Sequence, residues 1–129
     1  MIRGCTLGSC LLVLSAITAP AIAQDWDCSN AGELPQQGMN YCAAQDFHKA
    51  DLALNAAWSL IRKDAIKRSD GEDPLLTGQR AWLDYRDNQC EAESLVFEGG
   101  SLQPFINASC RARTTRARTE ELLLMERYR

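Results

Sequence analysis

The chain has 129 residues, 24% of them charged and 46% hydrophobic, and a formal net charge of −3. A chain of this length holds one small domain, and its mildly acidic charge argues against nucleic acid as the partner. The same charge suits a basic protein partner, because opposite net charges raise the rate of encounter.

The first 23 residues have the pattern of a signal peptide. Arg3 supplies a positive start, residues 11–17 form a short apolar core, and Pro20 precedes a small-x-small cleavage site. The apolar run is too short for a membrane-spanning helix, which needs about 20 residues. We therefore expect cleavage after Ala23, a mature domain over residues 24–129, and no stable membrane span. The alternatives are an N-terminal membrane anchor and lipidation of Cys10, for which residues 7–10 are a faint match.

The mature domain keeps four cysteines, namely Cys28, Cys42, Cys90 and Cys110. An even number of cysteines in an exported chain indicates two disulfides, for which three pairings are possible. We favour the pairing of neighbours, because each bond then closes a short loop between adjacent segments of the chain. A loop of this size would contribute about 3 kcal/mol in the chain-entropy model. This pairing joins Cys28 to Cys42 and Cys90 to Cys110. A zinc site is the alternative, but Cys-x-x-Cys spacing is absent and the single histidine, His48, is isolated, so we expect no metal and no cofactor.

A long first helix is predicted from about Gly38 to Arg68. Apolar and small residues recur there at steps of three or four, and the stripe consists of Met39, Ala43, Phe47, Ala50, Leu54, Ala57, Ile61 and Ala65. The alanines would let a neighbouring helix approach closely. Residues 24–37 contain helix breakers and turn formers, which predict an irregular arm tied to the body by Cys28.

Two further helices are predicted. Asp73 as N-cap and Pro74 in the first turn begin the second helix, which ends near Ser94. The third runs from about Gln103 to Arg127, after a turn at residues 98–101. Sustained alternation of apolar and polar residues is missing, so no strand is expected. The fold class is therefore all-α: a small disulfide-stapled three-helix bundle in which one long helix packs on an antiparallel helix pair.

The most distinctive stretch is residues 79–90, which is rich in aromatic and charged residues. At helical spacing its inner face consists of Gln79, Trp82, Leu83, Arg86 and Cys90. Half of this face is polar, so partners on other helices must satisfy it. We expect Arg86 to bridge the first helix, through Asp51 or Asn55, and the third, so that its removal leaves a buried acid unpaired. The alternative is that Arg86 belongs to a binding surface.

The third helix carries a basic run of Arg111, Arg113, Arg116 and Arg118. Residues 84–98 are acidic and would lie antiparallel to it, so we expect exposed ion pairs of at most about 1 kcal/mol each. An anion-binding patch is the alternative. The apolar spacing predicts a buried face of this helix that contains Ile106, Cys110, Ala117 and Leu124.

A catalytic constellation is missing from the sequence. His48 stands alone, no Gly-x-Ser-x-Gly elbow occurs, and Gly99-Gly100-Ser101 lacks the lysine of a phosphate loop. The acidic residues sit where helices face solvent, without sign of an aromatic-lined sugar groove. We therefore do not expect an enzyme.

Four motifs, in order, resemble one known family. They are Met39-Asn40-Tyr41-Cys42 with Asp51 and Asn55; Gln79-Arg80-Ala81-Trp82-Leu83 with Tyr85-Arg86-Asp87 and Cys90; Gly100-Ser101 with Pro104 and Cys110; and Thr115, Arg118 and Leu122. Together they cover roughly residues 28–122 and are similar to the LprI-like family of small secreted bacterial envelope proteins, named after a lysozyme inhibitor. Trp58 stands where the family commonly has tyrosine. The signature residues are Asp51, Asn55, Gln79, Arg80, Trp82, Tyr85, Arg86, Asp87, Thr115 and Arg118.

The resemblance implies an exported helical domain that binds and occludes a muramidase. Animal lysozymes are basic, which suits an acidic domain, and a monomer in the periplasm or outside the cell is expected. The turn Glu98-Gly99-Gly100-Ser101 is small and exposed, and is the candidate for contact with the partner; the alternative is a plain helix connection. An alternative function is an envelope binding, stress-resistance or immunity module with another protein partner, and a third is a structural accessory of the envelope.

Overall fold

The computed structural model describes residues 25–63, 65 and 69–128. A short 3₁₀ helix, Cys28–Glu33, precedes α1 (Gln36–Lys63); α2 (Pro74–Ser94) and α3 (Gln103–Arg127) flank a second 3₁₀ turn, Leu95–Phe97. The described part contains no strand, so the predicted all-α three-helix bundle is confirmed. The predicted signal peptide lies outside the described residues. Among the helices that the structure describes, none has an apolar stretch long enough to span a membrane.

Two element boundaries differ from the sequence prediction. α1 ends at Lys63 rather than at Arg68, and Ala65 is no longer helical. The arm of residues 24–37 was predicted to be irregular, but its described part contains the first 3₁₀ helix, whose N-cap is Asp27, and α1 already begins at Gln36. The Asp27 carboxylate accepts a hydrogen bond of 3.0 Å from the Ser29 backbone N–H, and this bond lowers the pKa of Asp27.

The arm is fastened to the first turns of α1. A disulfide joins Cys28 to Cys42, and the Trp26 ring covers Gly38. A Cβ atom at Gly38 would lie only 3.0 Å from that ring, so glycine is needed there. The Tyr41 hydroxyl donates a 2.7 Å hydrogen bond to Asp25, which raises the pKa of Tyr41.

α1 and α3 run in the same direction and meet along a seam of small residues. Asn40, near the start of α1, donates a hydrogen bond to Ser101, just before α3. Ile61, near the end of α1, shares a core cluster with Leu122 of α3. The buried alanines along the seam are Ala43, Ala50, Ala57 and Ala112. As the sequence predicted, small side chains let the two backbones approach closely.

α2 runs antiparallel to both helices and lies beside α3, to which the disulfide Cys90–Cys110 joins it. Over α1 and α2, which lie entirely within the described residues, no pair of Cα atoms comes within 8 Å. Long side chains therefore span the gap between them. Near one end, Arg62 of α1 stacks over Trp58 and forms an ion pair with Asp73, the N-cap of α2.

The prediction of which residues α3 buries is wrong in part. Ala117 is exposed and Leu124 is 41% exposed. The residues that α3 buries are Cys110, Ala112, Thr115 and Leu122. α3 lies against α1 on one side and α2 on the other, so its buried surface is wide and includes a hydroxyl. A search for one apolar stripe misses such a face.

Candidate binding surface

Arginine and aromatic side chains alternate in the middle of the bundle. The Arg86 guanidinium of α2 lies 5.3 Å from the ring centroid of Phe47 on α1 and 5.3 Å from that of Trp82. Two arginines of α3 continue the series: Arg111 lies 5.8 Å from Phe47, and Arg118 lies 5.9 Å from Trp82. We call these five residues the arginine stack. It fills the gap between α1 and α2 with planar groups that attract each other through cation–π contacts.

Hydrogen bonds join this stack to all three helices. Arg86 donates to Asp51 of α1 at 3.3 Å, to Thr115 of α3 at 3.4 Å and to its neighbour Asp87 at 2.8 Å. Asn55 donates to the other oxygen of Asp51 at 3.2 Å. These contacts are the ones expected of a structural network centred on Arg86.

The acids that face Arg86 are not buried. The side chains of Asp51 and Asp87 are 40% and 45% exposed, whereas that of Arg86 is 8% exposed. Removing Arg86 therefore leaves no buried acid unpaired, contrary to the sequence expectation. Its contribution to stability lies in packing and in the cation–π contacts, because the two carboxylates can turn to water.

Most of the signature residues converge at this network. Gln79 also joins it, because its side-chain oxygen accepts a hydrogen bond of 3.0 Å from Arg118. The structure does not bring Arg80 or Tyr85 into it, because Arg80 is exposed and Tyr85 is 58% exposed. The signature thus marks mainly a polar interior rather than an open site.

The four arginines of the basic run are all paired. Arg113 pairs with Glu93 at 3.0 Å and Arg111 with Asp87 at 3.6 Å, as expected from antiparallel α2 and α3. The other two find different partners: Arg116 pairs with Asp46 of α1 at 2.9 Å, and Arg118 with Glu121 of α3 itself at 2.9 Å. Arg113 and Arg116 lie on a solvated face, whereas Arg111 and Arg118 are half-buried in the stack. Because all four are paired, the run offers no surplus positive charge for an anion.

The turn between α2 and α3 forms an exposed end of the bundle. We call residues 95–101 the tip. Gly99 has φ +73°, a conformation that favours glycine. Its N–H donates a 3.1 Å hydrogen bond to the side chain of Gln103, and Asn40 of α1 holds the Ser101 carbonyl at 3.0 Å. The tip is therefore held in one shape by both α1 and α3.

Three consecutive apolar residues of the tip face water. Leu95 is 46% exposed, Val96 80% and Phe97 38%. Consecutive exposed apolar residues are unfavourable in a soluble domain unless they serve a contact, and such patches mark interaction sites. The sequence prediction of a contact at residues 98–101 did not include these three residues. A signal was present, since an apolar run directly after a helix end and before two glycines has no helical face to join.

The base of the tip is rigid. The disulfide Cys90–Cys110 is fully buried and joins the two helices just behind it. Asn107 of α3 donates to Glu91 of α2 at 3.2 Å, which adds a second cross-link. Glu91 and Glu98 place negative charge beside the apolar residues of the tip.

Within the described residues no group of three or more potential metal-ligating side chains occurs. All four cysteines of this part are oxidised in disulfides, so no thiolate is available to a metal. His48 is exposed on α1.

The fold and the site define a small disulfide-bridged three-helix domain with a polar interior and an exposed apolar turn. The chain belongs to the family described as "Lysozyme inhibitor LprI", whose sequence pattern matches residues 28–122. This confirms the resemblance seen in the sequence motifs.

Two relatives extend the comparison. An uncharacterised protein of Rhizobium meliloti (strain 1021) is 38% identical over 126 residues, covering 87% of this chain and 88% of the relative. The uncharacterised protein YecT of Escherichia coli (strain K12) is 28% identical over 120 residues, covering 81% of this chain and 72% of the relative. No solved structure matches the chain.

Proposed function

We propose that this protein is exported to the periplasm or secreted, and inhibits a muramidase by placing the tip against its substrate cleft. The observation that carries the proposal is the run of exposed apolar residues Leu95, Val96 and Phe97 in an ordered turn. Membership of a family described as a lysozyme inhibitor supports the target class.

The physical properties of the tip fit an occluding contact. A turn that is already fixed loses little conformational entropy on binding, so more of the contact energy appears as affinity. Val96, which is 80% exposed, supplies an apolar anchor at the centre of the contact. The acidic surroundings and the net charge of −3 favour a basic target and raise the rate of encounter.

The role proposed is binding and not catalysis, and the partner is a protein. The side chains of the tip are apolar except for Glu98 and Ser101, so the tip does not contain a pair of carboxyl groups or a serine with a histidine base. Occlusion needs only shape, apolar area and a rigid support.

A cell-wall turbidity assay tests the proposal. The purified chain with both disulfides formed is titrated against several types of lysozyme, and we expect saturable, stoichiometric inhibition of at least one. Absence of inhibition at micromolar excess against every type would contradict it. A capture from envelope extract that is lost on Val96→Asp would then support the alternative, an envelope or immunity module with a different protein partner.

Mass spectrometry of the mature N-terminus tests the proposed export. We expect a free amino terminus at Gln24 after cleavage behind Ala23. An acylated N-terminal Cys10 would replace this proposal with a lipid anchor, and an intact Met1 would contradict cleavage.

A further inference from the structure

A second concave surface runs along the side of the bundle between α2 and α3. The groove has a volume of about 370 Å³ and includes Trp82, Tyr85 and Gln89 of α2 and Arg113, Arg118 and Glu121 of α3. The sequence alone gave no sign of an aromatic-lined groove, because its two walls come from separate helices that meet only in the folded bundle. The groove does not include the tip, so it is a separate surface.

One aromatic ring of the groove, that of Tyr85, makes no hydrogen bond or ring contact with any other residue that the structure describes. Tyr85 is 58% exposed, and within the described chain neither its ring nor its hydroxyl has a partner. Trp82 behind it is held in place by the guanidinium groups of Arg86 and Arg118. An exposed ring on a fixed support is a stacking platform, since its electron-rich face attracts polarised C–H groups.

The polar groups of the groove are balanced in charge. Arg113 is paired with Glu93 at 3.0 Å and Arg118 with Glu121 at 2.9 Å. Because each of these charges already has a partner, the groove presents no surplus charge of either sign to attract a strongly anionic or cationic ligand. Gln89, one helical turn after Tyr85, adds an amide that can both donate and accept hydrogen bonds. The arrangement favours an uncharged ligand with many hydroxyl groups.

We propose that this groove binds a short uncharged glycan, with a sugar ring stacked on Tyr85 and its hydroxyls hydrogen-bonded by Gln89, Arg113 and Glu121. Sugar rings present an apolar C–H face and a polar rim, which match the aromatic ring and the paired charges around it. The volume of about 370 Å³ lies near the lower end of the usual range for small-molecule sites and suits one or two sugar rings. A glycan-binding groove adds a second activity to the proposed protein contact at the tip.

Isothermal titration calorimetry with the N-acetylglucosamine trimer tests the proposal on the oxidised chain. We expect saturable binding that Tyr85→Ala weakens about tenfold, the scale of one lost stacking contact. Tyr128→Ala is the matched control, because Tyr128 is 86% exposed and lies outside the groove; it should change the affinity less than about twofold. Both tyrosines are exposed, so the melting temperature should stay unchanged and report intact folding.

Charged trimers and a tip variant complete the test. The trimers of glucosamine and of galacturonic acid should bind more weakly than the uncharged one, and Val96→Asp should leave glycan affinity unchanged. Tighter binding of either charged trimer, equal affinity of Tyr85→Ala and the parent chain, or no saturation up to about 10 mM would overturn the proposal. Because Val96→Asp separates the two surfaces, failure here leaves the proposed muramidase contact untouched.

Discussion

The arginine stack and the tip differ in burial and in the kind of residue that forms them. Arg86 in the stack is 7% exposed and contacts residues of all three helices, whereas Val96 in the tip is 80% exposed. The stack is built from the charged and aromatic residues that stand out in the sequence, and the tip from ordinary apolar ones. The comparison teaches that the most distinctive residues of this chain hold its helices together, whereas the contact that we propose at the tip uses residues without a recognisable motif.

The helix spacing explains why the interior needs arginines. Alanines bring α1 and α3 together, but no Cα atom of α2 comes within 8 Å of one in α1. Only long side chains span such a gap, and a guanidinium between two rings fills it with favourable contacts. The polar signature is therefore a consequence of how α2 is placed.

The largest expected effect is on the stack. Arg86→Ala should lower the free energy of unfolding by about 2–4 kcal/mol, because it empties the space between Phe47 and Trp82. Inhibition per folded molecule should stay unchanged. Chemical denaturation measures the first quantity and the turbidity assay the second.

Arg86→Met is the matched control for that prediction. It keeps an unbranched stem but removes the charge, and the acids it faces, Asp51 and Asp87, are 40% and 45% exposed. We expect it to lose about half as much stability as the alanine variant. Equal losses would mean that charge, not packing, supports the stack. Unchanged stability together with lost inhibition would show that Arg86 belongs to the binding surface.

A smaller effect is expected at the tip. Gly99 has φ +73°, so Gly99→Ala should cost about 1–2 kcal/mol of stability. Unlike Arg86→Ala, it should also weaken inhibition, since it disturbs the turn itself. The control is Gly32→Ala, at a position without positive φ and with open space around it. Thermal melts of both variants give the comparison, and equal shifts would show that the conformation of Gly99 is not restrictive.

The smallest expected effect is a gain in stability when Gly78 is replaced by alanine. This residue lies inside α2, and a Cβ atom there would meet nothing within 4 Å. Gly78→Ala should therefore raise stability by about 0.5–1 kcal/mol and leave both the stack and inhibition unchanged. A loss of stability in denaturant titration would reveal a contact to Gly78 that the structure does not contain.

Local signals predicted much of the fold. The stripe of α1 was readable because helical period and alanine content agree over seven turns, and Asp73 and Pro74 together set the start of α2, where the Asp73 carboxylate accepts from Leu76 at 2.9 Å. The two disulfides formed are the pair favoured for their short loops. The contacts of Arg86 were foreseeable because a buried polar face needs partners.

Other features depend on tertiary placement and were not readable. The buried face of α3 includes Thr115 because two helices enclose it, and Arg116 pairs with Asp46, which lies 70 residues away in the sequence. The groove beside Tyr85 likewise exists only once α2 and α3 lie together.

One pair of variants tests most directly whether the tip, and not the stack, contacts the partner. Val96→Asp places a charge in the proposed contact, and Leu52→Asp does the same on α1, where Leu52 is 58% exposed outside the tip. Both should melt like the parent chain. In the turbidity titration we expect Val96→Asp to weaken inhibition at least about tenfold and Leu52→Asp to leave it within about twofold. Equal inhibition by the two variants would contradict the account.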